Sequence, residues 1–155
     1  MKPCFWKLSQ GTEHFKYKDI LETISEKLVY VHNDTGAKGK SSKTQSDDFV
    51  NSAKVGDYFY LTHGNTGIYL IGQFIGPANL FSKKTKGDDC WLDRKFRFIL
   101  PATKKNSYSG PNKWWAPNQN STFSLVPDEE LELFETEILK QFFDKELKDF
   151  GIENK

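Results

Sequence analysis

Two apolar runs separated by a glycine-rich turn constrain the fold of this 155-residue chain more than any other feature. The runs, Tyr58 to Thr62 and Ile68 to Ile75, consist of the aromatic, aliphatic and β-branched residues that are typical of strands. The residues between them, His-Gly-Asn-Thr-Gly, supply the positive φ angles that a tight connection requires. The sequence therefore predicts a β-hairpin and a fold with a sheet at its centre.

Patterns on either side of the hairpin predict four further strands, at residues 4–8, 28–32, 90–101 and 121–126. Apolar residues recur at helical spacing from Lys16 to Lys27 and from Leu131 to Phe142, and a shorter helical piece is expected near 47–53. Pro127 and the three acidic residues after it are typical of a helix start. These elements predict an α+β fold, in which flanking helices pack on a curved mixed sheet or partly closed barrel of about six strands. Since no repeat or linker interrupts the chain, we expect one domain over residues 1–155.

The charge balance excludes a protein that coats nucleic acid by charge alone. Lys and Arg total 22 against 21 for Asp and Glu, a net charge of +1, although basic residues are concentrated between Lys83 and Lys113. The two cysteines and three histidines lack metal-site spacing, so neither a metal nor another cofactor is expected. The N-terminus lacks the apolar run of a signal peptide, and no stretch is long enough for a membrane span. The sequence thus predicts a cytoplasmic protein with no membrane partner.

Three long polar loops, at 33–46, 76–90 and 102–119, exceed the usual length of connections in a small domain and favour a function in binding. The last contains Trp114 and Trp115 within a run of Asn, Pro and Gln. Because tryptophan is usually buried, this setting predicts that at least one of the two rings contacts a ligand. Aromatic residues interleaved with basic and amide side chains are the parts of a nucleotide pocket. They are Trp6, Tyr58, Tyr60, Trp91, Trp114 and Trp115, together with Lys7, Asn33, Arg94, Asn118 and Asn120.

Signals for catalysis are weaker than signals for binding. The segment "GAKGKSS" at 36–42 resembles the end of a phosphate-binding loop, but Asp34 stands where the motif needs its first glycine. His32 with Asp34, or His63 with Asn65, is a conceivable acid–base pair, yet a histidine at a strand end is more often a polar cap. The sequence therefore predicts a binding domain and not an enzyme.

An ordered series of motifs resembles the EVE domains of the PUA-like superfamily, relatives of the YTH readers of methylated adenine. The motifs are "FWKLS", "HNDTGAKGKS", "VGDYFYLTHGN", "GIYLIGQFIG", "WLDRKFRFI" and "NSTFSLVPDEELELFE", and they span essentially the whole chain. Within that group the chain is most similar to the N-terminal DNA-recognition domains of McrB-like, modification-dependent restriction motors. The resemblance implies a central barrel-like sheet and a pocket that accepts a modified base flipped out of the duplex.

The resemblance also implies a set of site residues. Trp6, Lys7 and Ser9 would form the floor and one edge of the base pocket, and the segment 118–122 would close it. The segment 32–35 would form a wall, but it lacks the tryptophan that YTH readers carry there, a ring that Trp91, Trp114 or Trp115 would have to replace. The expected pocket residues are Trp6, Lys7, Ser9, His32, Asn33, Asp34, Thr35, Tyr60, Trp91, Trp114, Trp115, Asn118, Asn120, Ser121 and Thr122. The expected contacts to the nucleic-acid backbone are Lys40, Lys83, Lys84, Arg94 and Lys113.

The partners implied by the resemblance are double-stranded DNA with a modified, methylated base, an AAA+ motor in the same polypeptide and a nuclease subunit. The chain would then be the N-terminal domain of a larger protein. Three alternatives stay open at the level of sequence. The domain could bind RNA, as PUA-like domains commonly do, it could be a small hydrolase or transferase using His32 or His63, or Trp114 and Trp115 could anchor a protein partner.

Overall fold

The strand and helix patterns of the sequence appear in the computed structural model, which describes residues 2–38 and 43–153. The strands in this part of the chain are β1 (Phe5–Ser9), β2 (Leu28–His32), β3 (Tyr58–Thr62), β4 (Ile68–Asn79), β5 (Trp91–Pro101) and β6 (Phe123–Leu125). The α-helices are α1 (Tyr17–Glu26), α2 (Gln45–Asp47) and α3 (Leu131–Phe134). Wider π-helical turns continue α2 over Asp48–Ser52 and α3 over Glu135–Phe143, and 3-10 turns cover Asp128–Glu130 and Leu147–Phe150. No helix in the described part of the chain is both long and apolar enough to cross a lipid bilayer.

The six strands form one mixed sheet in the order β2-β5-β4-β3-β1-β6. β1 and β3 are parallel, and every other neighbouring pair is antiparallel. The sheet curls into a half-barrel, so the predicted α+β fold with a curved six-stranded sheet is confirmed. The parallel pair requires a crossover, which the chain makes through α1, β2 and α2. This crossover brings the carboxyl ends of β1 and β3 side by side.

Two buried glutamine side chains link the edges of the half-barrel. The amide of Gln10 accepts a hydrogen bond from the Tyr30 backbone N–H in β2 (3.0 Å) and donates one to the Tyr30 carbonyl (2.7 Å). The Gln45 Oε1 accepts hydrogen bonds from the backbone N–H groups of Thr122 (2.6 Å) and Phe123 (2.8 Å). These amides satisfy buried backbone groups where the strands themselves do not pair.

Alternation along the strands separates two apolar cores on opposite faces of the sheet. Phe5 of β1 belongs to the core that the C-terminal helices cover, where Phe134 packs 4.9 Å from its ring. Trp6, the next residue, belongs to the core inside the curl of the sheet. Gly72 of β4 lies within this second core, where a Cβ atom would stand 2.6 Å from Cζ of Phe59. Only glycine fits at that position, because the ring of Phe59 lies directly against the backbone.

Two predicted strands have ends that were wrong by more than one residue. β4 continues to Asn79, four residues beyond the predicted end, because after an irregularity its last residues pair again with β5, Ala78 with Arg94. β6 is only Phe123–Leu125 and not 121–126, because Ser121 and Thr122 belong to the preceding loop. The predicted first helix is confirmed as α1, which ends where Lys27 adopts a φ of 60°.

Candidate functional site

The carboxyl ends of the parallel strands β1 and β3 carry polar side chains on the same face of the sheet. The register pairs Lys7 with Tyr60 and Ser9 with Thr62, so these four side chains point to one side. The segment 113–122 crosses this face and is fixed to it, since the Ser9 N–H donates to the Thr122 carbonyl at 2.7 Å. We call Lys7, Ser9, Thr62 and Ser121 the Lys7 cluster.

Lys7 is a buried cation whose partners are all uncharged. Its side chain is 1% exposed, and its Nζ donates to the Gln119 carbonyl (2.9 Å) and to the Ser121 hydroxyl (2.8 Å). Ion pairs within the described residues do not include Lys7. Removal from water disfavours the charged form and lowers the pKa of Lys7 to about 7. The ammonium group has three donors, so its capacity exceeds the two hydrogen bonds it makes.

Two buried side-chain oxygens have no hydrogen-bond partner within the described structure: Oγ1 of Thr62, which is paired with Ser9 in the sheet, and Oδ1 of Asn118, next to Gln119 in the closing segment. The Thr62 side chain is fully buried, and Ser9 beside it accepts a hydrogen bond from the Gly64 backbone N–H at 3.2 Å. An unsatisfied buried polar atom costs about 1–3 kcal/mol, so native proteins keep few of them. The Lys7 ammonium and these unpartnered oxygens belong to β1, β3 and the segment that crosses them, and such groups are suited to hydrogen-bonding the polar edge of a ligand.

The tryptophan pair divides between the core and this site. Trp115 is 1% exposed, its indole N–H donates to Oε1 of Glu130 at 2.7 Å, and its ring meets Phe134 edge-on at 5.5 Å. Trp114 is half-buried, and its carbonyl accepts a hydrogen bond from the Ser121 hydroxyl of the Lys7 cluster. Trp114 is therefore the member of the pair with surface to offer a ligand.

The structure removes three further expected residues from the pocket and its backbone contacts. Trp6 stacks on Phe123 at 4.5 Å on the other face of β1, and its indole N–H donates to Asp57 at 3.0 Å. Tyr60 is fully buried, and its hydroxyl donates to the Trp115 carbonyl. Arg94 is also buried, because its guanidinium binds the carbonyls of Gly76, Phe49 and Ala53, each at 2.8 Å, and so faces no phosphate. These residues, like Trp115, build the fold around the site.

The expected wall at 32–35 is joined to the closing segment by the residues that begin α2. Gln45, which binds Thr122, also donates its backbone N–H to the Thr35 carbonyl at 3.1 Å. The Ser46 hydroxyl donates to the Asn33 carbonyl at 2.9 Å. The structure thus brings the wall, the closing segment and the end of β1 together, while Asn120 and the Asp34 side chain stay exposed.

His32 and Trp91 form a second group at this wall. The His32 Nε2 pairs with the Asp89 carboxylate, and the Trp91 indole N–H donates to the same carboxylate at 3.0 Å. These two hydrogen bonds, the one from His32 above all, lower the pKa of Asp89. The Trp91 ring is 5% exposed and meets the His32 ring edge-on at 4.9 Å. This group attaches the connection between β4 and β5 to the end of β2.

The other histidine does not form the acid–base pair considered from sequence. His63 is buried and contacts the Phe15 carbonyl through Nε2 at 2.6 Å. Asn65 instead exchanges two hydrogen bonds with the backbone of Tyr108, at 2.9 and 3.0 Å. Both side chains therefore hold loops in place.

The expected backbone contacts lie in two separate places. Lys83 pairs with Glu26, and this hydrogen bond raises the pKa of Lys83, while the Lys84 ammonium lies over the rings of Phe15 (4.7 Å) and Trp91 (5.1 Å). Lys113 pairs with Glu130 at 3.6 Å beside the closing segment. Lys40 lies outside the described residues.

Sequence reasoning missed two polar residues of the site, Thr62 and Gln45, and did not single out Gln119 within the closing segment. Thr62 is an ordinary strand residue by its sequence, and Gln119 contributes only its carbonyl. Gln45 stands at the end of a polar loop, where no local pattern distinguishes it from its neighbours. The signal for all three is their position after folding.

Comparison with known proteins supports the fold and indicates no function. No protein-family model matches the sequence, and no curated protein matches it. Among solved structures, the crystal structure of the protein Atu2648 from Agrobacterium tumefaciens is similar over 87% of this chain and 93% of that one, with a TM-score of 0.52 and 14% identity. Two other solved structures have lower TM-scores. A hypothetical protein from Leishmania major has a TM-score of 0.41 and 13% identity, with 86% of this chain and 92% of that one covered. Rpa0253 from Rhodopseudomonas palustris has a TM-score of 0.44 and 13% identity, with 84% of this chain and 89% of that one covered. At these identities the first likeness shows a shared fold and carries no function.

Proposed function

We propose that this chain is an EVE-type nucleic-acid-binding domain that recognises a modified, methylated base in double-stranded DNA, flipped into the site beside the Lys7 cluster. It serves as the specificity domain of a McrB-like restriction system, acts in the cytoplasm and carries out no chemistry itself. The AAA+ motor and the nuclease belong to other parts of that system. The observation that carries the proposal is the buried, charge-unpaired Lys7 at the junction of the wall, the closing segment and Trp114.

A buried cation without a counter-charge lowers stability, and perturbed titratable groups concentrate at functional sites. A base edge presents carbonyl and ring-nitrogen acceptors, to which a desolvated ammonium donates strongly because little water competes with it. The Ser9 hydroxyl, which accepts a hydrogen bond from the Gly64 N–H, adds a donor, while the Ser121 hydroxyl is used by Lys7 and the Trp114 carbonyl. The Lys7 cluster therefore matches the hydrogen-bonding edge of a base better than it matches an apolar ligand.

The energetics of base flipping are compatible with one stacking surface. Extruding a base costs a few kcal/mol, and stacking on an aromatic ring returns about 1–3 kcal/mol per base. Trp114 is the ring available for this contact, with hydrogen bonds to the base edge supplying the remainder. An added methyl group contributes about 1 kcal/mol, so unmodified DNA should bind only about fivefold more weakly.

A binding panel tests the proposal. Fluorescence anisotropy would compare duplexes that differ only in one central base: N6-methyladenine, 5-methylcytosine, 5-hydroxymethylcytosine or the unmodified base. One modification should bind more tightly than the rest, and equal affinities across the panel would refute recognition of a modified base. Single-stranded RNA and tRNA as competitors distinguish the RNA-binding alternative, which predicts that they displace the duplex.

Matched variants connect the binding to the site. Lys7→Met should abolish the preference for the modified duplex, whereas Lys140→Met, an exposed lysine on the C-terminal helix, removes the same charge and should leave binding unchanged. Trp114→Ala should weaken binding about 5- to 150-fold, which corresponds to one lost stacking contact of about 1–3 kcal/mol. The exposed Tyr17→Ala is its control. Because the pKa of Lys7 is about 7, affinity should fall as the pH rises from 6 to 9, and Lys7→Met should not show that dependence.

A further inference from the structure

The connection between β4 and β5 holds an aromatic ring out in the solvent. Phe81 is 80% exposed, more than any other large apolar side chain in the described residues, and Leu80 beside it is 48% exposed. A monomeric domain usually buries such rings, and an exposed cluster of them marks an interaction surface. We call residues 79–86 the Phe81 turn.

The Phe81 turn is well ordered by hydrogen bonds. The Asn79 side chain accepts from the Phe81 N–H (3.2 Å) and donates to the Phe81 carbonyl (3.1 Å). The Thr85 hydroxyl bridges the backbone N–H and carbonyl of Trp91 at 2.8 and 3.1 Å, and the Ser82 N–H donates to the same carbonyl at 3.2 Å. The ring is therefore presented by a fixed backbone, so little conformational freedom remains to be lost on binding.

The charges around the ring indicate which partner it fits. Lys83, Lys84 and Lys86 follow Phe81 within five residues, and the exposed Lys95 and Arg97 lie on β5. The Phe81 turn itself contains no acid. Of the acids close to it, Glu26 pairs with Lys83, Asp89 binds His32 and Trp91, and Asp88 is exposed just beyond the turn. An apolar ring with lysines beside it matches a polyanion that has flat apolar groups in its interior, which describes a nucleic acid.

The position of the turn relates it to the candidate site. Ser82, next to Phe81, pairs with Trp91, and the Trp91 ring lies against His32 at the beginning of the expected wall. Asp89, at the end of the same connection, binds His32 directly. The Phe81 turn is thus connected to the beginning of the wall through Trp91 and Asp89.

We propose that Phe81 is a wedge that enters the base stack of a bound nucleic acid next to the flipped base, with Lys84 and Lys86 on the flanking phosphates. This inference rests on the proposed function, because it takes the ligand to be a nucleic acid from which one base is flipped out. The Phe81 ring fills the space that the extruded base leaves, or separates the two base pairs beside it. The apolar surface of the ring is buried only in the complex.

The test uses a duplex with the preferred modified base and 2-aminopurine as its neighbour. The proteins are the wild type, Phe81→Ala, Phe81→Trp and the control Val55→Ala, which shortens another exposed apolar residue. Phe81→Ala should weaken binding about 5- to 100-fold and abolish the change in 2-aminopurine fluorescence. Phe81→Trp should retain both, and Val55→Ala should behave as wild type. Because Phe81 is exposed, the thermal midpoints of all four should agree, which separates binding from folding.

Each result decides between the two proposals. If the wild type prefers the modified duplex and Phe81→Ala binds equally well, the wedge is refuted and the proposed function stands. If the wild type binds modified and plain duplexes equally and Phe81→Ala weakens both, modified-base recognition is refuted and the wedge stands. If no nucleic acid binds, or if Phe81→Ala instead abolishes binding to vesicles of phosphatidylcholine and phosphatidylserine, the surface serves another partner and the wedge is refuted.

Discussion

Replacing Lys7 by Met should stabilise the protein while removing its binding activity. Methionine has a similar length and no charge, so it occupies the same space between β1 and the closing segment without the desolvated ammonium. The native structure holds Lys7 with a pKa of about 7, whereas the ordinary value is 10.5. Folding at neutral pH must therefore either bury a charge or release a proton.

The size of the effect follows from that difference in pKa. A pKa difference of one unit corresponds to about 1.4 kcal/mol. Burial of Lys7 therefore lowers the free energy of unfolding at pH 7 by about 4 kcal/mol, relative to a lysine with an unshifted pKa. Methionine also leaves the Gln119 carbonyl and the Ser121 hydroxyl without their donor, which costs about 1–3 kcal/mol. Ser121 still donates to the Trp114 carbonyl. We expect a net gain of about 2 kcal/mol in the free energy of unfolding at pH 7.

The pH dependence identifies the cause. Between pH 7 and 10.5 the unfolded chain keeps the Lys7 proton that the folded protein has lost, so the stability of the wild type should rise with pH across this window. The variant lacks this contribution, and its advantage should shrink towards pH 10. Urea unfolding of both proteins at pH 6, 7, 8, 9 and 10, with the difference taken at each pH, isolates Lys7 from other titrating groups.

Two results would refute this reasoning. A difference between Lys7→Met and the wild type that is independent of pH would mean that Lys7 is not desolvated in the folded state. A variant less stable than the wild type at every pH would mean that the Lys7 hydrogen bonds hold the closing segment on the sheet more strongly than the buried charge opposes it. The Lys140→Met control should change neither the stability nor its pH dependence by more than about 0.5 kcal/mol.

Three further predictions concern stability and are measured by urea unfolding. Trp115→Ala should lower the free energy of unfolding by about 3–5 kcal/mol, because the Trp115 ring fills the core, whereas Trp114→Ala should lower it by less than about 1.5 kcal/mol. Equal losses would contradict the placement of Trp115 in the core and of Trp114 at the surface. Gly72→Ala should lose about 1–3 kcal/mol, since the added methyl group meets Phe59 at 2.6 Å, and an unchanged midpoint would show that the ring moves aside freely. Gln45→Ala should lower the free energy of unfolding by about 2 kcal/mol, because two backbone N–H groups lose their acceptor. Gln45→Glu keeps an acceptor oxygen and should lower it less.

The sequence predicted the sheet well because strand alternation and turn chemistry are local signals. The hairpin of β3 and β4 and the helical face of α1 depend on residues a few positions apart, and both are confirmed. The end of β4 was wrong because its last residues are held by β5 across an irregularity, a long-range pairing that no local pattern encodes. Long-range contacts of this kind limit what a single sequence reveals.

The same limit explains the placement of the aromatic site residues. In sequence, Trp114 and Trp115 share one polar loop and are indistinguishable. In the structure only Trp115 reaches Glu130 and Phe134, which lie 15 and more residues away. Trp6 and Lys7 are also neighbours in sequence, yet strand alternation sends them to opposite faces, one to an apolar core and the other to the Lys7 cluster. Alternation within the predicted first strand contained that signal.

The features that lower the stability of this molecule concentrate around one wall. Among the described residues, Lys7 has no ion-pair partner and Oγ1 of Thr62 no hydrogen-bond partner on one side, and on the other side Phe81 remains exposed to water. His32, Asp89 and Trp91 connect the two sides through hydrogen bonds and ring contacts. Selection for stability alone would bury the ring and replace the lysine, since both changes are available at low cost. Their joint presence, beside a wall that contacts both, is explained if one extended ligand binds across it. A double variant, Lys7→Met with Phe81→Ala, should then lose binding energy from both contacts, whereas two unrelated surfaces would show loss from only one.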